Sequence, residues 1–331
     1  MSGRRTNLAL GLLLVLAVLS GLASNTIGVD WPLDLATVHG VLALGILLLG
    51  PWKSLVIQRG LRHRRKGNWT SLVLLGFTLT ALLSGVVHST GLTTHIGPLT
   101  VMHVHVGAAV IALVMAIQHF LRHPVPPRAT DLDRRALLRG TVLISGGAIT
   151  WLGWQQALVA LGWPGANRRF TGSHERGSGD PQALPVTSWF DDRVPSIDEV
   201  SWRVDIAGAE MDLRAINRLP HQEFDAVLDC TGGWYSRQTW EGVRLDHLLS
   251  AEDWRSFEVR SATGYARRFP MQDVGEVYLV TAVGGELLSH GHGYPVRIVA
   301  PGRRGFWWVK WVVSIQPSMR PWWVQSPFPL T

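Results

Sequence analysis

Five stretches in the first half of the chain carry almost no charge: Leu8–Ala23, Leu33–Ile57, Ser71–Val87, Val101–Leu121 and Thr141–Leu161. Each is close to the roughly 17–25 residues that a bilayer-crossing helix needs. They read as five membrane-spanning helices. The second is the least regular, because Asp34, Pro51 and Lys53 interrupt it. From Gly162 onward no comparable stretch occurs.

Charge divides the chain at the same place. Residues 1–140 hold thirteen Lys/Arg against four Asp/Glu, a net of +9, and residues 141–331 hold eighteen against twenty, a net of −2. The basic character belongs to the apolar half, so it gives no ground for a nucleic-acid partner. Arg4 and Arg5 precede the first span, and "QRGLRHRRKGN" and "RHPVPPRATDLDRR" fill two of the loops. The other two loops, "SNTIGVDWP" and "STGLTTHIGPLT", hold no Lys or Arg. The positive-inside rule then puts the N-terminus in the cytoplasm. Five crossings leave the C-terminal half outside, and the expected location is the cell membrane, multi-pass, with lipid as the first partner. A cleaved signal peptide is the alternative for the first stretch. No small-residue cleavage site precedes the next helix, so the stretch is read as retained.

The expected organisation is a four-helix membrane domain over 1–130, a fifth transmembrane helix over 131–163 and an extracytoplasmic domain over 164–331. In "LDRRALLRGTVLISGGA", Arg134–Arg135 followed by Leu137–Leu138 and an apolar helix resembles a twin-arginine export signal, here internal. Asp133 stands where that signal usually has Ser or Thr, and simple anchoring of the helix end is the competing reading. Beyond a Gly/Pro/Ser-rich linker, short β-patterned runs alternate with turn signals. They are "SWRVDIAG", "EFDAVLDC", "SFEVRSATG", "EVYLVTAVGG", "PVRIVAPG" and "WWVKWVVSIQ". With the short helical runs "LRAINRL" and "LDHLLS" they make a mixed α+β domain. The fold class expected for the whole is thus multi-domain, an all-α transmembrane bundle followed by an α+β domain.

Cys230 is the chain's only cysteine, so no internal disulfide is available to it. It ends the run "EFDAVLDC", before a Gly-rich turn. It is either a small buried apolar residue or a nucleophile or metal ligand. Composition does not choose between them.

The residues around it do. "DCTGGWYSRQTWEGVRLDHLL" resembles the molybdenum-ligand segment of the sulfite-oxidase fold, and "HGHGYPVRIVAPGRRGFWWVKWVVSIQ" resembles its His-Gly-x-Pro-Val-Arg, Pro-Gly-x-x-Gly and Lys-Trp pattern. The similarity covers roughly Arg168 to Pro329. It implies molybdopterin as cofactor, with Cys230 as the molybdenum ligand and the residue tuning catalysis. It also implies cofactor contacts from His292, Arg297 and the Trp308–Val309–Lys310 segment, and more loosely from Ser261, Arg169, Thr171 and His174. Arg303, Arg304 and Lys310 flank a glycine turn suited to a terminal phosphate; Lys310 is the only lysine after residue 140. In the family it resembles, the pterin is inserted in the cytoplasm, so the domain crosses the membrane folded, which agrees with a twin-arginine signal. The run Thr231–Ser236 lacks the cationic group that follows the cysteine in sulfite oxidases. It looks more like the periplasmic methionine-sulfoxide-reductase branch.

Ionisable residues at membrane depth are functional candidates. His39, His88, His103 and His105 fall near the outer ends of their spans, and His119 near an inner end. His105 and His119, 14 residues and roughly 21 Å apart, share nearly one helix face. "VMHVHVGAAVIALVMAIQHFLRH" resembles membrane b-type cytochromes with two haems stacked along one helix. His39 and His105, with His88 as rival, would serve an outer haem b. Lys53 stands where a partner for His119 is expected, so the inner site is absent, unusual or a quinone site.

The function expected is a membrane-bound molybdopterin-dependent oxidoreductase. It would perform oxygen-atom transfer, namely S- or N-oxide reduction, on a small-molecule or protein-bound substrate, and exchange electrons with quinone through haem b. Sulfite-oxidase-like oxidation and a tethered binding module that has lost its metal are the alternatives.

Overall fold

The structure, a computed structural model, describes residues 3–28, 34–63, 69–131, 133–189, 192–250 and 253–326, with backbone alone for 59–63. The inner part of the basic loop, 64–68, much of the first outer loop, 29–33, and the end of the Trp-rich tail, 327–331, lie outside the described residues. The chain forms two compact units, Met1–His174 and Glu175–Thr331. The division falls after His174, beyond the expected domain start at 164. The intervening segment bonds to the helices: Arg168 donates to Gln155 Oε1 at 2.9 Å, and the Thr171 carbonyl accepts from Ser24 Oγ at 3.0 Å.

Among the described residues the N-terminal unit has six α-helices: α1 (Gly3–Thr26), α2 (Leu35–Leu48), α3 (Gly50–His63), α4 (Trp69–Thr90), α5 (Val101–Arg122) and α6 (Arg134–Ala160). Four of them, α1, α4, α5 and α6, are long and apolar enough to cross a membrane. The expected second span is instead α2 and α3, which count as a fifth crossing only if the pair, bent by 40°, is taken as one. The break has a local cause: Pro51 lacks an N–H, and its ring disfavours a helical carbonyl four residues earlier. Polar caps fix the starts. Asp34 accepts from Thr37 N–H, Thr100 from His103 N–H and Asp133 from Ala136 N–H. Arg134 and Arg135 therefore open α6, and Asp133 also pairs with Arg5 at 2.8 Å. Small residues let backbones approach. A Cβ on Gly147 of α6 would lie 2.7 Å from the Val41 carbonyl of α2, and one on Gly40 would meet the Trp151 ring at 2.2 Å.

The C-terminal unit is α+β. Its strands are β1 (Val204–Ile206), β2 (Ala209–Met211), β3 (Gln222–Cys230), β4 (Trp234–Arg244), β5 (Ser256–Ser261), β6 (Ala266–Pro270), β7 (Tyr278–Val283), β8 (Glu286–Leu287), β9 (Arg297–Val299) and β10 (Val312–Ser318), with one short helix, α7 (Leu213–Asn217). In one sheet β7 lies beside β4, β8 and β9, and β3 forms a hairpin with β4. The other sheet runs β2-β1-β10-β5-β6, with β1 and β10 parallel. Trp240, Phe257, Phe269, Leu279, Ile298, Trp311 and Ile315 are fully buried in this unit. The β3–β4 turn places Cys230 opposite Trp234, and Gly233 takes a φ of 90°, a conformation that favours glycine.

Candidate active site

Cys230 closes β3 where the chain turns, so its sulfur faces the loop rather than a neighbouring strand. The Gly232 N–H lies 3.3 Å from Sγ. Behind it, Arg304 donates to the Cys230 carbonyl at 3.1 Å and pairs with Asp229. A Cβ on Gly305 would lie 3.3 Å from Cys230 Cα, so the loop presses flat against the strand end. Burial pushes the Cys230 thiol up, opposed by the Gly232 N–H and by the charges of Arg304 and Lys310. An isolated thiol here stays protonated; a soft metal cation would hold it as thiolate.

Two cations lie on either side of Gly293. Its φ is 108°, and a Cβ added there would be 3.0 Å from the Arg297 Cβ and 3.2 Å from the Lys310 Cβ. Arg297, 1% exposed, lies between the rings of Trp240 and Trp308 and donates to the His292 carbonyl at 3.0 Å. Its buried Nε has no partner. Lys310 Nζ donates to the carbonyls of Thr187 at 2.9 Å and Gly291 at 2.6 Å. Neither forms an ion pair among the described residues. Burial pushes Arg297 down to about 9, and burial together with the Arg297 charge pushes Lys310 down to about 7. Buried charges without counter-charges are costly, and an anion beside them would relieve that cost. Trp311, fully buried, takes a φ of 51°, rare for a bulky residue. Its Nε1 donates to the His290 carbonyl at 2.7 Å, so the turn after Lys310 is fixed from both sides.

The other sequence candidates take distinct places. His292 bonds Ser289 Oγ through Nδ1 at 2.9 Å and the Leu184 carbonyl through Nε2 at 3.0 Å. Desolvation and the nearby Arg297 charge lower its pKa. Trp308 and Val309 lie alongside β9, where Ile298 N–H donates to the Val309 carbonyl at 2.7 Å. Ser261 ends β5 and bonds Thr263 Oγ1 at 2.9 Å, and the next residue, Ala262, bonds the Trp311 carbonyl. Arg303 and Arg304 both pair with carboxylates, Asp273 and Asp229, so of these four candidate cations Arg297 and Lys310 are the two without an acid partner among the described residues. Arg169, Thr171 and His174 belong to the N-terminal unit, where His174 Nε2 donates to the His88 carbonyl at 2.8 Å. Sequence inspection missed Asp229. Its signal was a lone carboxylate inside the apolar run "AVLDC", which needs a buried cation.

In the N-terminal unit His39 of α2 and His105 of α5 face each other, ring centroids 5.8 Å apart. His39 Nδ1–H donates to the Ala17 carbonyl at 2.9 Å and His105 Nδ1–H to the Ala81 carbonyl at 2.8 Å. These bonds fix the tautomer that leaves each Nε2 lone pair available, the usual second-shell arrangement of metal-binding histidines. Each ring packs on a glycine of another helix. A Cβ on Gly21 or Gly85 would come within 3.1 Å of His39 or His105 respectively. His88 is turned elsewhere, its Nε2 3.1 Å from the Gly172 carbonyl and its ring 4.7 Å from that of His174. His103 takes part in the α5 capping box, and His119 faces Ser71 and His123.

A strand-end thiol, an ion pair clamping its backbone and two buried cations lacking carboxylates suit a soft metal carried by an anionic organic cofactor. That combination is compatible with a domain that holds a metal cofactor. Residues 191–323 match the family described as oxidoreductase molybdopterin binding domain. This part of the chain is therefore similar to molybdopterin-binding oxidoreductase domains. Mitochondrial sulfite oxidase of Homo sapiens is 27% identical over 38% of this chain and 31% of its own length. NADH nitrate reductase 2 of Phaseolus vulgaris is 28% identical over 37% of this chain and 19% of its own length. The chain thus spans a third or less of these relatives. A structure of the sulfane dehydrogenase SoxCD from Paracoccus pantotrophus aligns over 38% of this chain and 40% of its own, with 24% identity and a TM-score of 0.36.

Proposed function

We propose that this protein is a membrane-embedded molybdenum oxidoreductase whose C-terminal unit works outside the cytoplasm, exchanging electrons with quinone through haem b. The observation that carries the molybdenum part is the placement of Arg297 and Lys310 about Gly293 without carboxylate partners, in the same unit as the strand-end thiol of Cys230. Cys230 would ligate the metal, while Arg297, Lys310, His292 and the 308–310 backbone would hold the pterin and its phosphate. When bound, the molybdenum centre supplies oxygen-atom transfer coupled to a two-electron change. The protein's part is to fix that centre, to neutralise its negative charge and to keep Cys230 from oxidising.

The direction we propose is reduction of an S- or N-oxide. The loop after Cys230 carries no cation until Arg237, whose side chain is exposed on β4, and Arg304 is paired with Asp229. A neutral oxide suits that loop better than an oxyanion. Similarity to sulfite oxidase favours the second reading, sulfite-type oxidation.

The haem assignment is supported by the shared tautomer of His39 and His105 and by the glycines beside their rings. Export by the twin-arginine route is supported by Arg134–Arg135 at the start of α6. The test is metal analysis and a reduced-minus-oxidised spectrum on one preparation. Stoichiometric molybdenum, absent in Cys230→Ala, with a b-type α band is the expected result. Wild-type protein without molybdenum, or Cys230→Ala retaining it, overturns the assignment. Turnover of sulfite but not of methionine sulfoxide or an N-oxide reverses the direction.

A further inference from the structure

Four polar side chains converge at one end of the N-terminal helices, the end that carries Arg4, Arg5, Arg122 and Arg134. Lys53 Nζ of α3 donates to Asn7 Oδ1 of α1 at 3.0 Å. Ser71 Oγ of α4 lies 3.5 Å from His119 Nδ1 of α5, a long contact. Gly11 links the two pairs: a Cβ there would lie 3.5 Å from the tip of the Phe120 ring, so the side chain next to His119 reaches α1. Asn7, Ser71 and His119 are each within about one turn, on the order of 6 Å, of the ends of their helices. All four side chains are half-buried, neither sealed in the bundle nor set on its outer wall. Around them Trp52, Leu55, Phe120 and Leu121 present exposed apolar surface.

A lysine one turn inside an apolar helix bundle is costly unless it has a use. Asn7 accepts one of the three Lys53 ammonium protons and leaves two donors. The His119 ring adds a further polar position, and no carboxylate is bonded to either group among the described residues. Of the basic residues nearer the helix ends, Arg4 pairs with Asp131 and Arg5 with Asp133, both at 2.8 Å, while Arg122 and Arg134 form no ion pair among the described residues. A charged headgroup would be met at that level, nearer the helix ends. A site one turn deeper, with donors and apolar walls, fits an uncharged carbonyl-bearing ring with a greasy tail.

We infer that Lys53, Asn7, Ser71 and His119 form the headgroup site for a quinone or hydroquinone, with Lys53 donating to one ring oxygen and His119 facing the other. The inference rests on the membrane electron-carrier reading above and adds the place and residues at which that carrier meets its lipid-soluble partner. The site lies at the opposite end of α5 from His105.

The test uses the full chain in lipid nanodiscs and 2-n-heptyl-4-hydroxyquinoline N-oxide, a fluorescent hydroquinone mimic. Wild type should quench its fluorescence saturably at one site per chain. Lys53→Met and His119→Leu should each weaken binding about ten-fold or more, as expected for loss of a hydrogen bond to a buried acceptor. Lys53→Arg should retain most of the affinity, and lipid-facing Leu79→Ala all of it. Binding unchanged in Lys53→Met and His119→Leu overturns the site. So does competition by anionic phospholipid, which would mean a headgroup phosphate, or a haem band lost with Lys53, which would mean an iron ligand. The α band of the same samples tests the parent reading separately. Saturable, Lys53-dependent binding without that band removes the haem wire and leaves the site. A normal band with Lys53-independent binding does the reverse.

Discussion

Asp229 and Arg304 meet 2.5 Å apart with both side chains 3% exposed, and the same guanidinium reaches the carbonyl of Cys230 at 3.1 Å. The strand end that carries Cys230 is thus held by charge from behind. Breaking a buried pair from one side leaves an uncompensated ion and costs about 3–5 kcal/mol. Arg304→Met should lower the stability of the C-terminal unit by that order. Asp229→Asn with Arg304→Met should recover part of it. Urea midpoints followed by tryptophan fluorescence, with molybdenum content, check both. Equal loss in single and double variants would mean the pair is not coupled.

Lys310 sets a pH dependence for cofactor-free protein. Its folded pKa is pushed down to about 7, below the ordinary lysine value. From about pH 7 to the unfolded value near 10.4, the unfolded chain therefore binds more protons than the folded one, and stability rises with pH. Below pH 7 the full cost of the buried charge is present. Arg297, pushed down to about 9, adds the same sign higher up, while the raised Cys230 thiol works against it there. Denaturation midpoints between pH 7 and 8.5 should climb in wild type and flatten in Lys310→Met. The slope should also flatten when cofactor is loaded, because a bound anion restores the lysine's ordinary charge.

At Gly293 folding and cofactor retention should come apart. Ala at a φ of 108°, 3.0 Å from the Arg297 Cβ, must move the arginine or the turn. Gly293→Ala should cost about 1–3 kcal/mol and release pterin and molybdenum from protein that still folds. Full metal content in that variant would show that Arg297 does not hold the cofactor in its present place.

His39→Met and His105→Met should each abolish the b-type α band, while His88→Met and His103→Met keep it. Reduced-minus-oxidised spectra of purified protein decide the matter. A band surviving the loss of His39 and vanishing with His88 would transfer the ligand role to the histidine now bonded to Gly172.

What the sequence disclosed depended on distance along the chain. The strand ending at Cys230 was legible because "EFDAVLDC" carries its own β pattern and stop signal. The break in the second span was foreshadowed by Pro51. Strand β4 was not legible: its inward residues Ser236, Gln238, Trp240 and Gly242 alternate correctly but are mostly polar or small, so no hydrophobic period appears. Arg303 and Arg304 looked like phosphate donors because their carboxylates lie 30 and 75 residues away. The pairing of His39 with His105 was proposed from the sequence with His88 as rival, but the feature that favours it was hidden. It depends on carbonyls of Ala17 and Ala81 that only helix packing brings within reach.

Arg297 and Lys310 have a consequence for the life of the molecule before it does any chemistry. Without a bound anion the unit holds two like charges in its interior with only carbonyls, and no carboxylate among the described residues, to quiet them, so that form should be the looser of the two. Insertion of the prosthetic group should tighten it. On the export reading, machinery that accepts only rigid cargo can then tell finished copies from blank ones by firmness alone, with no need to inspect the metal.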